Sequence, residues 1–249
     1  MSLVIYAILD SKQVQNSSSP GIGSLSAVSG RELECVSSHT LTAIVSAHPD
    51  KKLSNSRQEV LAYAGIVDKI SEIYSILPMR YGSVVASSTD VTALLEKHAE
   101  SFIKTLHKVM NKQEYSLRLF FSHQHQDYYV QDTSLDVTLM PPDILSGDSE
   151  NKNYLLKKYQ QHRAEEKHER YIEKIQTAVA RDLHKITDAV DFKKRTTSGC
   201  IIDAVLLVDR RAKNQLLALV VDMQSVYPDH NVILTGPWPP YNFAHITLE

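Results

Sequence analysis

Cysteine is nearly missing from this chain: Cys35 and Cys200 are its two thiols, far apart and in no C-x-x-C setting. That excludes a disulfide framework or a thiolate metal site and fits a reducing compartment. Long apolar runs are missing too. No segment approaches the roughly 18 residues of a membrane span, and the opening MSLVIYAILDSK lacks the basic region of a signal peptide, so neither export nor insertion is expected. Neither sign of charge is in excess. Lys and Arg total 27 against 29 Asp and Glu, for a formal charge of -2, which gives no electrostatic reason to expect nucleic acid or an anionic membrane as partner.

Enzyme signatures are equally scarce. Gly21-x-Gly23 follows a strand-like run, but Ser26 stands at the third glycine position and the next regular element reads as a strand, so no dinucleotide phosphate site is built. P-loop and G-x-S-x-G patterns are absent. His162 and His168 lie about 240° apart round a helix, so with Glu165 and Glu166 they form no H-E-x-x-H ligand face. His123-Gln124-His125 offers two imidazoles without an evident third ligand. Asp203, Asp209 and Asp222 read as strand-end and helix-surface carboxylates rather than as an acid and base pair. No catalytic residue, metal site or cofactor is expected.

What is present fits two globular domains: 249 residues, 43% hydrophobic and 22% charged. Leu3 to Leu9 reads as a strand, followed by a Ser/Gly-rich loop. Glu32 to Ser37 and Leu41 to Ser46 read as a hairpin closed at Ser38-His39-Thr40. From Ser56, Val60, Ala64, Val67, Ile70 and Ile73 recur at helical spacing until Pro78; Ile76 to Val85 reads as an irregular strand, and a helix from Asp90 carries Leu94, His98, Phe102, Leu106 and Met110 on one face. The second half begins with a strand at Glu114 to Ser122 and a weakly patterned connection containing Pro141-Pro142. Tyr154 to about Phe192 then predicts one long helix with a polar middle, QQHRAEEKHER, continuous or broken. A strand near 195–199, a strand at Ile201 to Val208, a helix through Leu216, Leu217, Val220 and Val221, and a strand at Val232 to Thr235 complete a ferredoxin-like βαββαβ order.

The expected class is α+β, with a rearranged ferredoxin-like N-terminal domain over 1–112, a ferredoxin-like (βαββαβ) domain with a long helical insertion over 113–236, and a C-terminal arm over 237–249. RNA-recognition modules share the βαββαβ order, but IIDAVLLV offers only aliphatics where they present stacking aromatics, which argues against RNA. Leu248-Glu249 reads as an appended remnant.

Two stretches are explained by neither helix nor strand packing: LPMRYGSVV from Leu77 to Val85, and GPWPPYNF from Gly236 to Phe243. In the first, Pro78 pushes Leu77 towards extended geometry, Gly82 permits a bend, and Arg80 offers five donors beside Met79 and Tyr81. That makes a rigid crossover whose Arg80 either satisfies buried acceptors or meets a partner. In the second, Pro237, Pro239 and Pro240 forbid helix and restrict the unfolded chain, so Trp238, Tyr241 and Phe243 become anchors of a polyproline-like arm. The arm is expected to strap onto the N-terminal domain near Leu77 to Gly82, since three exposed aromatics would leave an apolar patch.

Together these stretches resemble the gas vesicle protein F/L family, whose members carry L-P-M-R-[FY]-G after a helix and end in G-P-W-P-P-Y-x-F; QEVLAYAGIVDKI, EYSLRLF and NYLLKKYQ look similar as well. The resemblance implies a non-enzymatic accessory or minor structural protein of gas vesicles, the hollow shells that give buoyancy. Such a protein would sit at the vesicle inside the cytoplasm, bind the small hydrophobic major shell protein and other gas vesicle accessory proteins, and assist assembly or nucleation. The alternatives are a transient cytosolic chaperone that leaves before the shell is complete and, from another class, an effector-binding tandem ferredoxin-like protein. Leu77, Pro78, Met79, Arg80, Tyr81, Gly82, Gly236, Pro237, Trp238, Pro239, Pro240, Tyr241 and Phe243 are the candidate structural or partner-binding residues.

Overall fold

Val4 to Leu9 are six consecutive apolar residues, all buried in strand β1 (Ser2–Asp10), which requires both faces of the strand to be covered. A computed structural model of the chain describes residues 1–15, 27–28, 30–122, 149–194, 197 and 199–245. The Gly21, Gly23 and Ser26 stretch, the His123 and His125 pair, the Pro141-Pro142 connection and Leu248-Glu249 lie outside the described residues.

β1 is the centre of a sheet with β2 (Glu34–Ser38), β3 (Leu41–His48) and β4 (Leu77–Pro78) in the order β2-β3-β1-β4, and β5 (Val84–Val85) pairs with β1 further along. The expected hairpin is β2 and β3, turned at His39, which takes a positive φ of 49°. Register against β3 slips between Ile5 and Ala7, so Tyr6 is the extra residue of a bulge. The slip has a packing consequence. Val4 and Tyr6 before it, then Ala7 and Leu9 after it, all join one core cluster with Tyr63, Ile66, Val67 and Ile70 of helix α2 (Arg57–Ile73). Ser56 caps that helix by accepting from Glu59 N.

Two features depart from the periodicity. Ser11–Gln15 forms a short helix, α1, where a loop was expected. The helix expected from Asp90 to Met110 is two, α3 (Ser88–Lys97) and α4 (Ala99–Val109), broken at His98 with φ -111° and ψ 17°. No Pro or Gly marks that bend, and the apolar spacing continues through it as Val91, Leu95, Phe102 and Leu106, all buried. Both helices lie against the sheet and are absent from the α2 core cluster, so they cover its opposite face.

The second sheet contains β6 (Lys112–Phe121), β7 (Val190–Phe192), β8 (Cys200–Asp209) and β9 (His230–Trp238) in the order β7-β8-β6-β9, with helices α5 (Ser149–His184) and α6 (Lys213–Val226) between strands. That is the ferredoxin-like strand order, the class expected. α5 runs unbroken for 36 residues, buries Ile172, Ile175, Val179 and Leu183, and stops at His184 rather than near Phe192. Val190, inside the helix expected to about Phe192, instead pairs with Leu206 in β7, and most of the strand expected near 195–199 lies outside the described residues. A β-branched and an aromatic residue on either side of Asp191 favour the strand, and two positions apart they share a strand face but not a helix face.

The chain divides into two compact units, Met1–Tyr115 with Leu207–Arg211 and Gly236–Glu249, and Ser116–Leu206 with Ala212–Thr235. Among the described residues no helix is long and apolar enough to cross a membrane.

Candidate functional site

Leu77 to Val85 is a strand interrupted by a turn. Leu77 and Pro78 pair with Ile8 and Ala7, and Val84 and Val85 pair with Val4 and Leu3, so the four residues from Met79 to Gly82, with Ser83, leave and rejoin the edge of β1. The exit and re-entry are fixed by Met79 N donating to Tyr6 O at 2.9 Å and Ile5 N donating to Ser83 O at 2.9 Å. Gly82 has φ +89° and nothing within 4 Å of an added Cβ, so it is needed for its conformation rather than for space.

Tyr63 of α2 holds the turn from beneath. Its hydroxyl lies 2.9 Å from Ile5 O, 3.0 Å from Met79 O and 3.3 Å from Arg80 O, the three carbonyls around the interruption. The Tyr63 ring stacks on Tyr6 at 4.9 Å and meets the edge of Tyr81 at 5.3 Å. Tyr81 in turn donates to Ser54 O at 2.5 Å and lies 3.2 Å from Glu59 Oε2. Burial, then the neighbouring Tyr241 and Tyr6, pushes the Tyr63 hydroxyl well above the ordinary tyrosine range. The turn thus has a rigid aromatic base. The Arg80 side chain is exposed and makes no hydrogen bond or ion pair among the described residues.

At the other end of the chain, β9 continues through Gly236 and Pro237 to Trp238, further than the expected Val232 to Thr235. Gly236 permits this. Its φ is +118°, and a Cβ there would come to 2.8 Å from Glu114 O and 3.1 Å from the Tyr115 ring. After Trp238 the chain turns, with Phe243 N and Ala244 N both donating to Pro240 O at 3.1 and 2.9 Å. The segment is tied down at Glu114, a carboxylate only 4% exposed, which accepts from Asn242 N at 2.7 Å and Asn242 Nδ2 at 2.6 Å. Phe243 is 9% exposed, with Lys108 Nζ 5.4 Å from its ring centre.

Anchoring therefore falls on Asn242 and Phe243, and the expected cover over all three aromatics is partial: Trp238 keeps 44% and Tyr241 39% of its surface. Burial first, then the charges of Asp68 and Glu114, pushes the Tyr241 hydroxyl up to about 12. Tyr63 links the two marked segments, bonded to the Met79 and Arg80 carbonyls and within electrostatic reach of Tyr241.

One anchor is absent from the sequence reading. α2 has no basic residue in its last turn, yet its terminal carbonyls are capped by Arg210, which donates to Ser71 O at 2.5 Å, Glu72 O at 2.9 Å and lies 3.4 Å from Tyr74 O. A guanidinium there meets the negative end of the helix dipole and closes the orphan acceptors. The available signal was an uncapped α2 C-terminus and an arginine pair straight after a buried strand, but nothing in the spacing joins positions 136 to 139 residues apart. Replacing Arg210 with Met is expected to lower stability by about 1–3 kcal/mol, because the carbonyls remain and their partner goes. Urea unfolding of the variant beside Arg210→Lys, which keeps the charge but not the fork, measures it.

Among the described residues no group of three or more His, Cys, Asp or Glu is placed to hold a metal. What the two segments form is an aromatic and backbone assembly rather than a constellation of titratable groups.

The chain is similar to gas vesicle proteins in sequence and in fold. Gas vesicle protein L from Streptomyces sp. (strain CB03234) is 23% identical over 198 residues, covering 76% of this chain and 69% of that protein. Gas vesicle protein F from the same strain is 26% identical over 213 residues, covering 82% and 84%. In fold, the crystal structure of the gas vesicle protein GvpF from Anabaena sp. PCC7120 matches with a TM-score of 0.73 at 18% identity, over 99% of this chain and 97% of that one. GvpF from Microcystis aeruginosa also gives 0.73, at 15% identity over 98% and 99%. Residues 2–245 match the profile of the family described as gas vesicle synthesis protein GvpL/GvpF, and the chain belongs to that family.

Proposed function

We propose that this gas vesicle protein is a non-enzymatic accessory or minor structural component that binds the major shell protein and assists vesicle assembly or its nucleation. The observation that carries the proposal is the family match over residues 2–245, which takes in both marked segments. The geometry supports it from a second side. Trp238 and Tyr241 keep 44% and 39% of their surface exposed while the segment that bears them is pinned by Glu114 and Phe243. Rigid, half-exposed aromatics lose little entropy on contact, and they are the residue types on which protein interfaces concentrate their energy.

The test is capture of purified major shell protein by the immobilised full chain. The intact chain retains the shell protein, and Trp238→Ser with Tyr241→Ser weakens capture at least about tenfold, or 1.4 kcal/mol, at unchanged melting temperature. Failure of the intact chain to retain it would remove the proposal.

A further inference from the structure

β9 ends the strand order of the second sheet, so one of its edges faces no strand of that sheet. Alternation tells which groups stand on that edge. Asp229 O accepts from Ser122 N, just past β6, at 3.1 Å, so odd positions turn their backbone to β6 and even positions turn theirs outward. The first outward groups are already filled: Gln224 of α6 donates from Nε2 to His230 O at 2.7 Å, and its Oε1 accepts from Val232 N at 3.2 Å. That amide stands in for a neighbouring strand. Leu234, the next outward position, has no such plug among the described residues.

The Gln224 bonds also fix which side of α6 lies over the edge. Leu217, seven residues before Gln224, is about 20° from it round the helix, and Val221, three before it, about 60°. Both are exposed, at 43% and 65%, while Leu216 and Met223 are buried on the side away from them. α6 returns into β9 through Tyr227 to Asp229 alone, so helix and strand run antiparallel. From Gln224 back to Leu217 is about 10 Å of helix, or about three residues of strand, which brings Leu217 level with Leu234. An exposed apolar stripe thus stands beside the vacant rung.

Charge decides the occupant. In a contact about a two-fold axis each residue near the axis meets its own copy, so an ionised group there repels itself. Asn214 to Val221 and Asn231 to Thr235 contain no ionisable residue. The opposite edge of the sheet differs: β7 is three residues long, with Asp191 at its centre and Lys193 and Lys194 after it, charges that keep an edge from pairing. We infer that β9 and α6 form the interface of a homodimer, in which the β9 strands of two copies pair antiparallel about Leu234. Leu234 N donates to Leu234 O of the second copy, and the reciprocal bond closes the pair. Ile233, 45% exposed, meets Thr235 across the axis, and Leu217 with Val221 packs on the same stripe of the second copy. Two four-stranded sheets become one of eight strands.

The test is sedimentation velocity of the full chain from about 1 to about 100 μM, the weak end of the range that protein interfaces span. The parent protein passes from monomer to dimer across it. Val221→Lys, which sets a charge against its own copy, and Leu234→Pro, which removes the outward N–H of an edge strand, each raise the dissociation constant at least about tenfold. Val221→Lys keeps the parent's melting temperature and decides the matter should Leu234→Pro lower it. Leu61→Lys, at a position 60% exposed on α2, leaves the dissociation constant unchanged. A parent protein monomeric throughout, Val221→Lys dimerising as tightly as the parent, or an equal loss in Leu61→Lys overturns the inference. A monomeric parent whose capture of the major shell protein is lost in Val221→Lys overturns it too and gives this face to that partner.

Discussion

A chain ending at Trp238 is expected to melt several degrees below the intact protein, in the transition that reports on the unit containing β1 to α4. The truncation removes Phe243, 9% exposed, whose loss alone is comparable to a core Phe→Ala change of about 3–5 kcal/mol. It also removes both donors of Asn242 from Glu114 and leaves a carboxylate 4% exposed without them, a further cost of about 1–3 kcal/mol. Opposing these is the entropy of ordering the segment, roughly 1 kcal/mol per residue of backbone, reduced by Pro239 and Pro240, which leave the unfolded chain less freedom to lose. Each kcal/mol of net loss lowers the melting temperature by about 2–4 °C for a chain of this size. Calorimetry decides it, with Phe243→Leu as a variant that keeps most of the apolar volume and falls only slightly. Equal melting of the truncated and intact chains would show that the C-terminal segment is not a structural anchor.

The β2 and β3 hairpin was legible because its length, β-branched content and short closure are local, although the closure is His39-Thr40 alone, since Ser38 pairs with Leu41. So was α2, with a serine cap at one end and a proline after the other. The bulge at Tyr6 was not, since an apolar run reads as a strand whether or not its register slips, and the slip is set by β3. The break at His98 left no mark, because the same heptad-like spacing serves one straight helix or two inclined ones. Val190 and Phe192 were assigned to a helix because no Pro or Gly interrupts the run from Tyr154, although residues two apart share a strand face and not a helix face. At the candidate site, Pro78, Gly82, Gly236 and the aromatics stood out by composition, since each breaks the rule for its element. Their partners did not. Tyr63 reads as an ordinary core position of α2, Glu114 as an ordinary strand-edge carboxylate, and Arg210 as a solvated charge; each acts through a contact that only the folded chain brings within reach.

The same buried tyrosines make the protein sensitive to alkali, and stability is expected to fall steeply from about pH 10 towards pH 12. Burial raises the hydroxyls of Tyr6, Tyr63 and Tyr115 above the ordinary tyrosine value of about 10, and Tyr241 is pushed up to about 12. The sign follows from proton counting. Below pH 10 the tyrosines are protonated in both folded and unfolded chains and their contribution is fully present. Above it the unfolded chain releases protons that the folded chain retains, so unfolding gains free energy as pH rises, until the folded hydroxyls ionise as well. Tyr63, 3% exposed and with three carbonyl oxygens within reach of its one hydroxyl proton, all of which would repel an oxyanion, contributes up to about 1.4 kcal/mol per pH unit across this window. Tyr241 adds less than its shift implies, since 39% of it faces solvent that screens the ionised form. Urea unfolding at pH 8, 10 and 11 measures the slope, and absorbance of ionised tyrosine reports whether the folded chain withholds protons. Tyr63→Phe, though less stable at pH 8, should lose less on going to pH 11 than the parent protein; a parallel fall in both would place the alkaline sensitivity elsewhere than beneath the LPMRYG turn.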